Sequence, residues 1–142
     1  MGQNEIILGL AILIGLIINS FFCITLVNTL NQVKSENREL PSWIIWLLLI
    51  PLLSLGVMFY VVYRLSSSIE NELHDRNFEV TERPGYAQGM GFACIGIIVN
   101  LPMPAFLVGI LAIVGLVLFI QYWVKMNWYK KILRDDVSHN EE

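Results

Sequence analysis

The chain has 142 residues, of which 56% are hydrophobic and 15% charged, against about a quarter charged in soluble domains. A soluble domain of this length cannot hide that much apolar surface, and a net charge of −3 with nine Lys and Arg excludes a basic field for nucleic acid. The two cysteines, Cys23 and Cys94, both fall inside apolar runs, which excludes a disulfide framework or a spaced zinc site.

The N-terminus carries no Lys or Arg before the apolar run that follows Glu5, so a retained first helix over about 6–30 is expected rather than a cleaved signal. Ala11, Gly15, Asn19 and Cys23 recur every fourth residue there, a stripe of small and polar side chains expected to be its packing face. A polar loop with Lys34, Glu36, Arg38 and Glu39 comes next and ends in Pro41-Ser42. A second helix over about 43–65 is flanked by Trp43 and Trp46 at one end and Tyr60 and Tyr63 at the other, the aromatic belts of a membrane span. Pro51 predicts a kink in it, because the ring removes one backbone donor and frees the carbonyl of Leu47.

Beyond Arg64 the helical period persists: Leu65, Ile69 and Leu73 keep one apolar stripe, while Glu70 with His74 and Glu72 with Arg76 lie four apart. The second helix is expected to run on into solvent to about residue 76, or a short separate helix starts at Ser67 with Glu70 three residues on. The stripe either packs on the protein itself or offers a docking face to a partner.

Residues 84–124 then form 41 positions in a row without Asp, Glu, Lys or Arg. One crossing needs about 20 apolar residues, so this run holds about two. Pro102 and Pro104 break it, giving a third helix over about 86–100 and a fourth over about 105–123. Gly89, Gly91 and Ala93 in the third and Gly109 and Ala112 in the fourth are candidates for close helix contact, since small residues let backbones approach in lipid. Past Trp123 a collar of aromatic and basic residues leads to an acidic tail over 135–142, expected to fray.

The expectation is an all-α integral membrane protein, residues 1–142 forming a single domain of four transmembrane helices. Counting Lys and Arg by loop puts both termini inside, with seven basic residues on the cytoplasmic side and Lys34 and Arg38 opposite. The segments LPSWIIWLLLIPLLSL (40–55), VVYRLSSSIENELHDRNFE (61–79) and FIQYWVKMNWYKKIL (119–133) resemble a group of small bacterial four-transmembrane-helix proteins of unknown function. The resemblance implies a multi-pass protein of the bacterial inner membrane and brings no activity to any residue.

Catalytic and cofactor patterns are missing. His74 and His139 lie in polar segments where they would not ligate a membrane haem, no C-x-x-C or nucleophile motif occurs, and no ionisable residue falls at mid-membrane. No enzyme, no metal and no cofactor is expected. The neutral polar residues inside the spans, Asn19 among them, read as interhelical hydrogen bonds or as a polar path or small-ligand site. Two functions stay open besides contact with the lipid bilayer. One is a non-catalytic accessory or scaffold subunit that binds a protein partner through loop 66–83 and the tail, with Leu65, Ile69 and Leu73 as docking residues. The other is a homo-oligomeric channel or transporter for a small solute.

Overall fold

The structure is a computed structural model that describes residues 2–79 and 81–140. Five helices follow one another: α1 Gln3–Asn31, α2 Trp43–Trp46 continued by a 3-10 turn over Leu47–Leu49, α3 Pro51–Asp75, α4 Tyr86–Ile98 and α5 Ala105–Asn140. Three stretches are long and apolar enough to cross a membrane, Gln3–Asn31, Leu52–Asp75 and Ala105–Asp136, while α4 is a shorter apolar helix. This is an all-helical protein with the character of a membrane protein.

Contacts between helices define their directions. Phe22 meets Phe119 at 4.8 Å between ring centroids, the Trp123 indole N–H donates to Thr25 Oγ1 at 3.0 Å, and Thr29 Oγ1 donates to the Met126 carbonyl at 3.2 Å. The numbers rise together, so α1 and α5 run parallel. Gly85 lies against Met126, Gly89 against both Val62 and Tyr122, Gly91 against Leu118 and Gly115 against Ile95, so α4 is antiparallel to α5. α3 ends where Arg76 reaches both the Leu133 and the Gln32 carbonyls, which makes it parallel to α1 and α5.

The segment between α1 and α3 departs from the expected single helix. From the loop at the Asn31 end the chain climbs back along α1, with Cys23 Sγ 3.6 Å from the Ile45 carbonyl and Asn19 Nδ2 2.9 Å from the Leu48 carbonyl. At Ile50 the backbone turns extended (φ −88°, ψ 112°), and Pro51 then starts α3 in the reverse direction. Proline suits a first helical position, where its missing N–H leaves nothing unpaired. The expected kink is therefore a full turn. Asn19 lies 16 residues beyond Gln3, so the turn sits about 24 Å along α1 from that helix's start at 1.5 Å per residue. It falls inside the apolar span and not at its far edge.

Helix bounds elsewhere follow the sequence. α3 continues past Tyr63 to Asp75 as one helix and ends in a left-handed Asn77 (φ 62°), whose N–H bonds the His74 carbonyl while the Phe78 N–H bonds the Leu73 carbonyl. That pairing is a Schellman closure with Asn in the place glycine usually takes. α5 stays helical to Asn140, well beyond the fraying expected from residue 135; Glu141 and Glu142 of the tail lie outside the described residues, as does Val80 of the loop.

The core occupies one half of the bundle. Phe22, Leu26 and Leu30 of α1, Val61, Leu65 and Ile69 of α3, and Tyr122, Met126 and Leu133 of α5 are all buried. In the other half every residue of α1 from Gln3 to Ile18 is exposed, Leu8 at 62% and Leu16 at 44%. Such an apolar surface is at home only in lipid. All nine Lys and Arg lie on the Asn31 side of the Phe22–Phe119 contact, and the two chain ends lie at opposite ends of the bundle. The turn at Ile50 returns α3 to the end of the bundle at which α1 finishes.

That basic end is tied together by one buried ion pair. Glu72, fully buried, accepts from the Lys34 N–H at 3.0 Å, from Asn37 Nδ2 at 2.9 Å and from Arg76 at 2.7 and 2.8 Å. Arg76 also reaches the Leu133 carbonyl at 2.7 Å, the Gln32 carbonyl at 3.2 Å and Asp136 at 3.3 Å. One guanidinium thus satisfies carbonyls past the end of α1 and within α5 while pairing a carboxylate of α3. Nearer the apolar half, Arg83 stands 4.8 Å from the ring centroids of Tyr63 and Tyr86, a cation–π collar at the boundary.

Candidate functional site

Leu65, Ile69 and Leu73 do not form a docking surface. Their exposures are 0%, 0% and 4%, and they belong to the same core as Leu30, Val33 and Leu133. The stripe is covered by the ends of α1 and α5 and by the loop that follows α1. A partner cannot reach it while this core is formed.

The small-residue candidates divide in two. Gly89 and Ala93 are buried in α4, and a Cβ on Gly91 would stand 3.0 Å from Leu118. These three are at real helix contacts. Ala11 is exposed, and Gly15 and Gly109 have no described atom within 4 Å of where a Cβ would be. The expected packing face of α1 is thus used only lower down, at Cys23, which is buried, and at Asn19 through its carboxamide. α1 packs instead through Phe22, Leu26 and Leu30, with the Thr29 hydroxyl reaching the Met126 carbonyl of α5.

Gly15, Asn19, Ala93 and Ala112 of the candidates do border a cleft of about 610 Å³. Gly15, Ile18, Asn19 and Phe22 form its α1 wall. Val108, Ala112, Gly115 and Phe119 of α5, with Phe92, Ala93 and Gly96 of α4, form the opposite wall. Leu48, Ser54 and Met58, from either side of the turn at Ile50, floor it. The cleft exists because α2 and α3 turn back at Ile50. A second helix crossing completely would occupy this space.

Asn19 has a defined structural duty here. The turn releases carbonyls that no helix can pair, and it lies within the apolar half of the bundle, where an unpaired carbonyl would cost several kcal/mol in hydrocarbon. The Asn19 carboxamide donates to one of them, that of Leu48. Its second N–H and its carbonyl oxygen have no partner among the described residues. Among the described residues, none that lines the cleft is ionisable, and no group of three His, Cys, Asp or Glu is placed to hold a metal ion. Cys23 and Cys94 are both free thiols. The arrangement can bind but offers no nucleophile with a base beside it.

The cleft is visible in the sequence only as the pairing of small residues in α1 and α5, which helix packing would produce equally well. No family model, curated protein or solved structure matches the chain. The geometry of the cleft therefore carries the functional argument.

Proposed function

We propose that this is a non-catalytic membrane protein that holds a small lipophilic molecule in the cleft between α1 and the α4–α5 hairpin. The observation that carries this reading is the cleft itself. It is large enough for one ligand, since such sites span about 300–1,000 Å³, and it is apolar apart from Asn19 and Ser54. Beneath it Tyr122 and Met126 are buried, so a continuous path for a solute is not favoured. An accessory role through an apolar cytosolic face is not favoured either, since Leu65, Ile69 and Leu73 are already covered.

The test is retention of small molecules by protein extracted in mild detergent and examined by native mass spectrometry. Ala112→Phe and Gly15→Phe place a ring in the cleft where Ala112 is exposed and Gly15 meets open space. Both variants are expected to melt within a few degrees of the wild type and to lose an adduct that the wild type keeps. An adduct unchanged in both, or none in the wild type, ends this reading.

The same reading includes a topology. α1 and α5 cross the membrane, α4 returns between them, and α2 with α3 forms a hairpin that enters from the basic end and turns inside the bilayer. The distribution of charge supports it: all nine Lys and Arg then face the cytoplasm, with the N-terminus outside, whereas four complete crossings leave Lys34 and Arg38 on the wrong side. Single cysteines at Lys34→Cys and Lys131→Cys, with Cys23 and Cys94 replaced by Ser, are expected to label from the same side, and Gln3→Cys from the other. Opposite labelling of the first two restores the four-crossing arrangement.

A further inference from the structure

Resting on the cleft reading above, we infer that the ligand is an uncharged lipophile carrying one hydroxyl or carbonyl oxygen, seated with that oxygen at Asn19. Size comes first. The cleft extends from Val108 to Phe119 along α5, about 16 Å at 1.5 Å per residue. The cleft holds about 610 Å³. A single hydrocarbon chain or a small ring system fits a cleft of that size.

Charge comes second. Among the described residues, none that lines the cleft could pair with a charge, and an unpaired charge at this depth costs several kcal/mol or more. A charged or zwitterionic group is excluded from the floor.

Hydrogen bonding completes the description. Asn19 spends one N–H on the Leu48 carbonyl, and a carboxamide has a second N–H and an acceptor oxygen as well. In hydrocarbon these groups want partners. A hydroxyl can accept from the N–H and donate to the oxygen, and a carbonyl can accept from the N–H. A plain alkane can do neither. Gly15 and Leu116, which line the cleft, stand on exposed apolar faces of α1 and α5, Leu116 being 58% exposed, so the ligand enters from the bilayer.

Tritiated hexadecan-1-ol and tritiated hexadecane, each dissolved in dodecyl maltoside micelles with and without the full-length protein, test the assignment. Protein-dependent retention of the alcohol is expected to exceed that of the alkane about fivefold, the worth of one net neutral hydrogen bond. Asn19→Leu, which keeps the branched outline and removes the carboxamide, should bring the ratio to one, and Ala112→Phe should abolish retention of both. Equal retention of the two probes by the wild type, lost in Ala112→Phe, overturns the oxygen assignment and leaves the cleft reading standing. A preference for the alcohol that survives Asn19→Leu overturns the role of Asn19. Retention of neither probe overturns the cleft reading itself. Melting temperatures of the two variants separate a lost site from a lost fold.

Discussion

Gly89→Leu is expected to destabilise the protein by about 3 kcal/mol or more, at the upper limit of what overpacking costs. A Cβ at this position would stand 2.6 and 2.7 Å from the two Val62 methyls and 2.9 Å from Tyr122 Cε2. Neither neighbour can step aside. A β-branched valine in a helix has one strongly preferred χ1 rotamer, and Tyr122 is 1% exposed. The contact also joins three helices, α3, α4 and α5, so shifting α4 to relieve it opens the other two interfaces. Val108→Leu adds a methylene to a residue bordering the cleft and is expected to cost under about 0.5 kcal/mol. Thermal melts in detergent, followed by circular dichroism, decide the matter. Equal melting temperatures for the two variants would show that α4 packs on another face.

The other large effect is expected at the basic end. Arg76→Met should cost about 3–5 kcal/mol, because it leaves the buried Glu72 carboxylate with only Asn37 and the Lys34 N–H, and strips the Leu133 and Gln32 carbonyls of their donor. Replacing both members, Glu72→Gln with Arg76→Met, is expected to be less damaging than Arg76→Met alone, since the uncompensated charge goes with its partner. A double variant as unstable as the sum of the two single ones would show that the pair does not act as a unit.

The same carboxylate sets a dependence on pH. Burial pushes the Glu72 pKa up, but hydrogen bonds from Asn37, the Lys34 N–H and Arg76, together with the Arg76 charge, outweigh it and hold the carboxyl below its ordinary value. A depressed pKa in the folded state means the stabilisation is complete above the unfolded glutamate value of about 4.3 and fades as pH falls through the folded value. Acid melts of the wild type should therefore lose stability below about pH 4 in a step that Glu72→Gln lacks.

Much of the helical architecture was legible in the sequence, because helix length and helix ends are local properties. The apolar runs, Pro102 with Pro104 and the persisting period after Arg64 placed α1, α4, the start of α5 and the end of α3 within a few residues. The Glu72–Arg76 spacing likewise foretold the contact between them, though not that Lys34, Gln32 and Leu133 would converge on it. Pro51 announced a defect in the second helix. Whether that defect became a kink or a complete turn depended on a group that could receive the freed backbone, and Asn19 stands 29 residues before Leu48.

The choice of packing face was not legible, for a reason specific to lipid. In water a buried face is apolar and an exposed one polar, so period reveals contact; in hydrocarbon both are apolar, and Gly15 facing open space reads like Gly89 wedged against Val62. Outside the lipid the period of Leu65, Ile69 and Leu73 did signal a contact, but not which surface would cover it. Sequence alone determined that the chain is helical and suited to a membrane, through the length and composition of its runs. Only the tertiary structure decided that α3 turns back inside the apolar span, that its polar extension is sealed by α1 and α5, and that the small residues of two helices border a cleft instead of a contact, because each outcome depends on where distant segments come to rest.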